Sequence, residues 1–140
     1  MEAQVYVSGA LTNIQEETKL FYEKIGALFT KNGRFAYIPH KKSDPIEFAS
    51  LDPGAVYQMD SMAILNSKLI VVYLGQPSTG VGIEMEIAKS RDIPMVLLYE
   101  QTKTVSRMAL GMPNIKKIIK FTNFDDALEQ LEQGLQQRLF

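Results

Sequence analysis

The densest chemical signal in this chain is Gly75-Gln76-Pro77-Ser78-Thr79-Gly80-Val81-Gly82-Ile83-Glu84, where glycines and hydroxyls lead directly into a helical pattern. Backbone N–H groups at such a turn, with the positive end of the helix dipole behind them, can hold an anion such as phosphate. The turn is not a Walker A loop. Gly75 and Gly80 have that spacing, but Val81-Gly82 stands where Lys and Ser/Thr must meet phosphate and magnesium. Nor is it a dinucleotide fingerprint, because Gly80 and Gly82 are followed by Met85 where a third glycine belongs. The two glycines can equally serve only a tight turn and close packing. Glu84 is what points to a ligand. A capping-box glutamate would stand at 81 or 82 if Ser78 or Thr79 is the cap, and Ile87 and Ala88, one turn on, put Glu84 on or beside the buried stripe. A solvated helix glutamate is the alternative, and Glu86 is the better surface acid.

Asp60 is the second acid, with Val56 before it and Ala63 and Ile64 one turn after it. An acid inside an apolar stripe must be paired, hydrogen-bonded or open to a cleft, so a purely structural pairing stands beside a functional role. Two carboxylates converging on one cleft with an anion-binding turn suggest glycosidic-bond chemistry, one acting as nucleophile or activating water while the other moves protons. His40, after Pro39, is either a ligand contact or an exposed bystander. Thr104, Ser106, Lys116, Lys117 and Lys120 have solvated surface as their default, and Met59, Met62, Met108 and Met112 line a partner surface or fill core.

Composition narrows the rest. With no cysteine and one histidine, thiolate zinc sites, a Cys nucleophile, disulfides and His-rich metal sites are excluded, so no metal is expected. A net charge of -1 gives no general attraction for nucleic acid or acidic membranes. The longest apolar run, Leu69 to Leu74, is far short of the roughly 20 residues that span a bilayer. Met1-Glu2-Ala3-Gln4 lacks the basic start of a leader. A soluble, cytoplasmic, untargeted protein is expected.

These groups need elements to position them. Gln4 to Ser8 reads as a strand closing on Gly9, and Phe21, Ile25, Leu28 and Phe29 mark an amphipathic helix ending near Asn32-Gly33. Phe35 to Ile38 is a short strand cut off by Pro39, and His40 to Pro53 a long excursion with about one helical turn. A helix over Gly54 to Asn66 leads to Lys68 to Leu74, whose unbroken apolar run marks the central strand. Gly80 to Arg91 is a helix, Pro94 to Tyr99 a strand, Val105 to Gly111 a short helix and Lys117 to Phe121 the last strand. Asn123 then caps a helix with Asp125 and Asp126 in its first turn and Leu128, Leu131 and Leu135 along one face. The alternation predicts one α/β domain over 1–140, a flavodoxin-like or Rossmann-like three-layer sandwich on a five-stranded parallel sheet. Ligands in such folds sit beyond the carboxyl ends of the strands, near the switch point.

The chain resembles the nucleoside 2-deoxyribosyltransferase superfamily, and within it most closely the 2'-deoxynucleoside 5'-phosphate N-hydrolases. The resemblance spans essentially the whole chain and rests on Val5-Tyr6-Val7-Ser8-Gly9-Ala10, on Asp60 in its helix, and above all on Gln76-Pro77-Ser78-Thr79-Gly80-Val81-Gly82-Ile83-Glu84. It implies that Glu84 attacks the anomeric carbon and displaces the base, and that water resolves the glycosyl-enzyme. It implies that Asp60 orients Glu84 and handles the base, that Tyr6 lies by the sugar, and that His40 stands on the base side. Gly9, Leu11 and Thr12 fall in the substrate-binding turn after the first strand, and Ser78 and Gly80 contact the 5'-phosphate. Ser106 does so from the neighbouring subunit of a homodimer, in an alignment that needs a short deletion before it. The transferases that use free nucleosides carry an aspartate where this chain has Ser78, so a neutral hydroxyl favours the nucleotide. Better-known hydrolases carry an arginine where this chain has Thr12, which leaves Lys41, Lys42 or a partner residue to meet the phosphate. The resemblance thus implies a cofactor-free N-glycosidase acting on a small-molecule nucleotide. Its alternatives are a transferase moving deoxyribose between bases and a non-catalytic nucleotide-binding module of the same fold.

Overall fold

The computed structural model describes residues 4–140; residues 1–3, part of the leader expectation, lie outside them. Five strands alternate with six helices: β1 (Val5–Ser8), α1 (Glu16–Lys31), β2 (Ala36–Tyr37), α2 (His40–Ser43), α3 (Pro53–Leu65), β3 (Leu69–Tyr73), α4 (Thr79–Ser90), β4 (Met95–Glu100), α5 (Arg107–Leu110), β5 (Ile115–Phe121) and α6 (Phe124–Gln136). All strand pairs are parallel, in the order β2-β1-β3-β4-β5, the flavodoxin-like arrangement that the alternation predicts.

The sheet separates two cores. Every residue of β3 is buried, as a strand covered on both faces requires. Along β1 the pleat sends Val5 and Val7 to a core with Phe21, Ile25 and Phe29 of α1 and Leu131 of α6. Tyr6 goes the other way, to a core with Ile64 of α3 and Val81, Met85 and Ala88 of α4. A period of two on the strand thus meets a period of 3.6 on each helix, and three layers result. The first core is largely aromatic, with Phe21 stacked on Phe124 at 4.1 Å between ring centroids.

Element boundaries follow local chemistry. Ser78 caps α4 by accepting from the Val81 N–H, so the helix begins at Thr79, one residue before the expected Gly80. Asn123 caps α6 in the same way, accepting from the Asp126 N–H at 2.8 Å. The last strand starts at Ile115 rather than Lys117 because its pairing with β4 slips by one residue between Met95 and Val96, a bulge of the kind tolerated at sheet edges.

Because β1 is followed by α1 on one face and β3 by α4 on the other, the turns leaving these neighbouring strands diverge and open a crevice at their carboxyl ends. The long excursion closes one side of it. After α2, the buried Asp44 accepts from the N–H groups of Ile46 and Glu47 at 2.8 and 3.1 Å and pairs with Lys19 of α1 at 2.7 Å. That anchor lets an otherwise irregular segment present Phe48 and Leu51 to the crevice.

Removing the cation would leave the Asp44 carboxylate without its charged partner. Lys19→Met is therefore expected to lower unfolding free energy in urea near pH 7. Lys19 and the amides hold the Asp44 carboxyl below its ordinary value against the opposing effect of burial. The deficit should accordingly shrink as pH falls through the depressed Asp44 value and that carboxylate takes up its proton.

Candidate active site

At the crevice lies a cleft of about 610 Å³. Gly9, Leu11 and Thr12 line it from the turn after β1, Asp60 and Ser61 from α3, and Ser78, Gly80 and Glu84 from the start of α4. Sequence reasoning placed seven of these eight at the site; Ser61 is the addition.

Glu84 is the most constrained of them. The Tyr6 hydroxyl donates to its Oε2, and the Ser8 hydroxyl donates to its Oε1 at 2.8 Å. Both donors come from β1 because residues two apart on a strand share a face, and both are fully buried. Burial pushes the Glu84 carboxyl up to about 7, against the hydroxyls of Tyr6 and Ser8, which pull it down, while Asp60 adds to the rise. Burial, and after it the charge of Glu84, drives the Tyr6 phenol well above its ordinary value, so it stays a donor.

Asp60 shows the same conflict in milder form. Burial lifts its carboxyl to about 6, and a hydrogen bond from Tyr37 works in the opposite direction. Tyr37 is the register partner of Tyr6 across β1 and β2, and its ring stacks on that of Tyr6 at 5.5 Å with an 11° tilt. Asp60 Oδ1 and the Ser61 hydroxyl are both buried without a protein partner, which leaves hydrogen-bonding capacity unspent beside the cleft. With Asp60 near 6 and Glu84 near 7, a single proton shared by the two carboxyl groups rests mainly on Glu84 in the free protein, and the form with Glu84 ionised and Asp60 protonated is the minor one.

The anion-binding end is built from turns. Ser78 Oγ accepts from Val81 at 3.3 Å and the Ser78 carbonyl from Gly82 at 3.3 Å, while the earlier amides of the helix have no intrahelical acceptor. The Gln76 amide donates to the Thr12 carbonyl at 3.2 Å, and Lys103 Nζ donates to the Gly75 carbonyl at 2.9 Å, so both turns are tied together. Gly9 admits no side chain, because a Cβ there would run into the ring of Tyr22, whose hydroxyl donates to the Ala10 carbonyl at 2.9 Å.

Other expected site residues lie elsewhere. His40 is buried, not exposed and not on the cleft wall; its Nε2 is 3.6 Å from Glu23 and its ring packs near Tyr22. Its proximity to Glu23 follows from the α2 turn, which folds His40 back against α1. Lys41 also meets Glu23, at 3.5 Å, and neither it nor Lys42 lines the cleft. Among the described residues, the cleft walls hold two acids and no base. Tyr6 lies behind Glu84 rather than on the wall. Ser106 caps α5, accepting from Ala109 at 3.2 Å, and lines a neighbouring groove that shares the Ser78 and Val81 walls. Among the described residues, no three His, Asp or Glu side chains converge as they would to hold a metal ion.

Ser8 and Tyr37 escaped sequence reasoning as functional groups. A signal for Ser8 existed: it is two residues from Tyr6 on a buried strand, where a hydroxyl must find a partner. Tyr37 carried none, since its use depends on which strand pairs with β1.

No protein-family model matches the chain. Over 67 residues it is 38% identical to a protein of Syntrophotalea carbinolica named "Putative 2'-deoxynucleoside 5'-phosphate N-hydrolase 1". That match takes in 46% of this chain and 47% of the relative, so it spans about half the relative's length. Among solved structures, a CMP N-glycosidase from Clostridium botulinum superposes with a TM-score of 0.70 over 93% of this chain and 98% of that one, at 18% identity. A 2-deoxyribosyltransferase from Bacillus psychrosaccharolyticus does so with a TM-score of 0.66 over 90% of each chain, at 16% identity. The chain thus has the 2-deoxyribosyltransferase fold and, over about half its length, is similar in sequence to a protein named a putative 2'-deoxynucleoside 5'-phosphate N-hydrolase.

Proposed function

We propose that the chain is an N-glycosidase that hydrolyses the bond between base and deoxyribose in 2'-deoxynucleoside 5'-monophosphates, releasing free base and deoxyribose 5-phosphate. The observation that carries this reading is the Glu84 carboxylate, set at the cleft with a hydroxyl donor on each oxygen and Asp60 in the same walls. In the first step, taken from the minor form in which Asp60 rather than Glu84 carries the proton, Glu84 attacks C1', and the C1'–N bond breaks as Asp60 gives that proton to the departing base. In the second, water attacks C1', passes a proton to Asp60, and the electron pair of the C1'–O bond returns to Glu84. Two displacements at one carbon retain its configuration.

The Ser78 hydroxyl and the free amides at the start of α4 are the neutral groups available to the 5'-phosphate. Ser106 belongs with them only if a second copy supplies it, and its position outside its own chain's cleft fits a homodimer. Met108, 89% exposed beside Ser106, gives such a contact an apolar surface to cover. No helix among the described residues is long and apolar enough to cross a membrane, and a cytoplasmic enzyme suits the absence of cysteine.

Incubation with a panel of deoxy- and ribonucleoside monophosphates, with released bases separated by chromatography, tests the activity. Base should be released from deoxynucleotides, and Glu84→Ala and Asp60→Asn should lose at least the roughly 100- to 10,000-fold typical of a positioned acid–base group. Mixed nucleosides formed with a competing free base would establish the transferase instead, and nucleotide binding without base release a silent module.

Because Glu84 must be ionised to attack, base release should fall as pH drops below about 7. Tyr6→Phe deletes a donor that favours the ionised form, so the acid limb should move to higher pH, read from kcat/KM against pH.

Glu84→Gln supplies a stability check. A carboxyl raised from 4.5 to about 7 on folding helps the native state below pH 4.5 and loses that help as pH rises through 7. The inactive Gln variant should therefore unfold later than the parent at pH 8, by on the order of 3 kcal/mol, and lose this advantage at pH 4.

A further inference from the structure

The Ser8 hydroxyl donates to Glu84 Oε1 at 2.8 Å. Ser8 is fully buried on β1, paired in register with Val72 of β3, so solvent does not compete for its proton. Tyr6 holds Oε2 from the same strand face. The carboxyl group is consequently gripped at both oxygens by donors fixed in the sheet, and cannot turn without breaking one of them.

The two bonds do not stabilise all stages of catalysis equally. A hydroxyl donor binds a full carboxylate more strongly than an ester oxygen. Once Glu84 is esterified to C1', the grip of Ser8 on Oε1 weakens, and it is regained as the ester breaks. The bond therefore favours the free carboxylate and the transition state in which that carboxylate is leaving, over the covalent intermediate between them.

We propose that Ser8 is a positioning residue that holds Glu84 as a carboxylate and hastens its departure from the sugar in the second step. This rests on the N-glycosidase reading for its second half. In that step the oxygen of water bonds to C1', the C1'–O bond to Glu84 breaks with its electron pair returning to the carboxylate, and the water proton passes to Asp60.

Ser8→Ala and the near-isosteric, weakly donating Ser8→Cys test both halves. The first readout needs no turnover: a carbon-13 NMR titration of the Glu84 side-chain carboxyl, assigned with Glu84→Gln. Its midpoint should rise by about one pH unit in Ser8→Ala and by less in Ser8→Cys. The second is rapid-quench kinetics on a deoxynucleoside monophosphate that the parent cleaves, with the intact protein weighed by mass spectrometry. Adduct breakdown should slow about 10-fold in Ser8→Ala, so that a burst of free base precedes steady state and the glycosyl-enzyme accumulates. An unmoved titration midpoint overturns the proposal whatever the activity. A moved midpoint with unaltered adduct breakdown overturns its second half. A parent protein that cleaves no nucleotide overturns the N-glycosidase reading and that second half with it, while the titration still decides whether Ser8 holds the carboxylate.

Discussion

A carboxylate that is taken out of water must be held by something other than water, and in this molecule the holding falls to two hydroxyls on one strand. Burial alone would keep Glu84 protonated and chemically inert at neutral pH; Tyr6 and Ser8 lower the cost of its charge without abolishing it. The result is a carboxyl group balanced near pH 7, ionised often enough to react and desolvated enough for its charge to be felt. Both donors reside on β1, which has neighbours on each side in the sheet, so their positions are set by backbone pairing rather than by a loop. That is the stiffest support the fold can offer.

The rest of the site is organised around keeping α4 in register with β1. Ser78 fixes where the helix begins, and six residues later the helix delivers Glu84 to the strand. Gln76 ties the turn before α4 to the turn after β1, and Lys103 braces it from the β4 side. Gly9 allows the chain to leave β1 against the Tyr22 ring, and any side chain there would push turn and ring apart. On the other wall, the Lys19–Asp44 pair organises a segment with little regular structure into an apolar rim. Each brace is local, and each acts on a turn bordering the cleft, where the two faces of the sheet diverge.

What could be read in advance follows from the range of the interactions involved. The helix start at Asn123, the central strand Leu69–Tyr73 and the amphipathic α1 are encoded within a few residues and were legible from spacing alone, and the start of α4 was legible to within one residue. The acids Glu84 and Asp60 were legible because each interrupts an apolar stripe. His40 was misplaced because a loop histidine next to proline looks exposed, whereas its fate was settled by Glu23 and Tyr22, seventeen and eighteen residues back on another helix. The stack of Tyr37 on Tyr6 depends on the β1–β2 register, and the one-residue slip at β5 on pairing with β4. Such contacts are made only after the sheet assembles, and no local pattern announces them.

The charge of the cleft bears on the proposed reaction in two opposed ways. Among the described residues, its walls carry Glu84 and Asp60 and no basic side chain, a field that repels a doubly charged phosphate. Only the amides and hydroxyl at the start of α4 offset this, and they act at one end, so the phosphate is best placed there with the sugar extending toward the acids. At the sugar the same field changes sign in its effect, because C1' gains positive charge as the base departs. Negative walls that weaken binding of the intact nucleotide therefore favour the transition state, and interactions that strengthen only at the transition state raise turnover. A cation beside Thr12 would tighten the ground-state complex through the phosphate while doing nothing directly for C1'. On this chain's own residues, affinity is the quantity given up and charge stabilisation at the anomeric carbon the one retained.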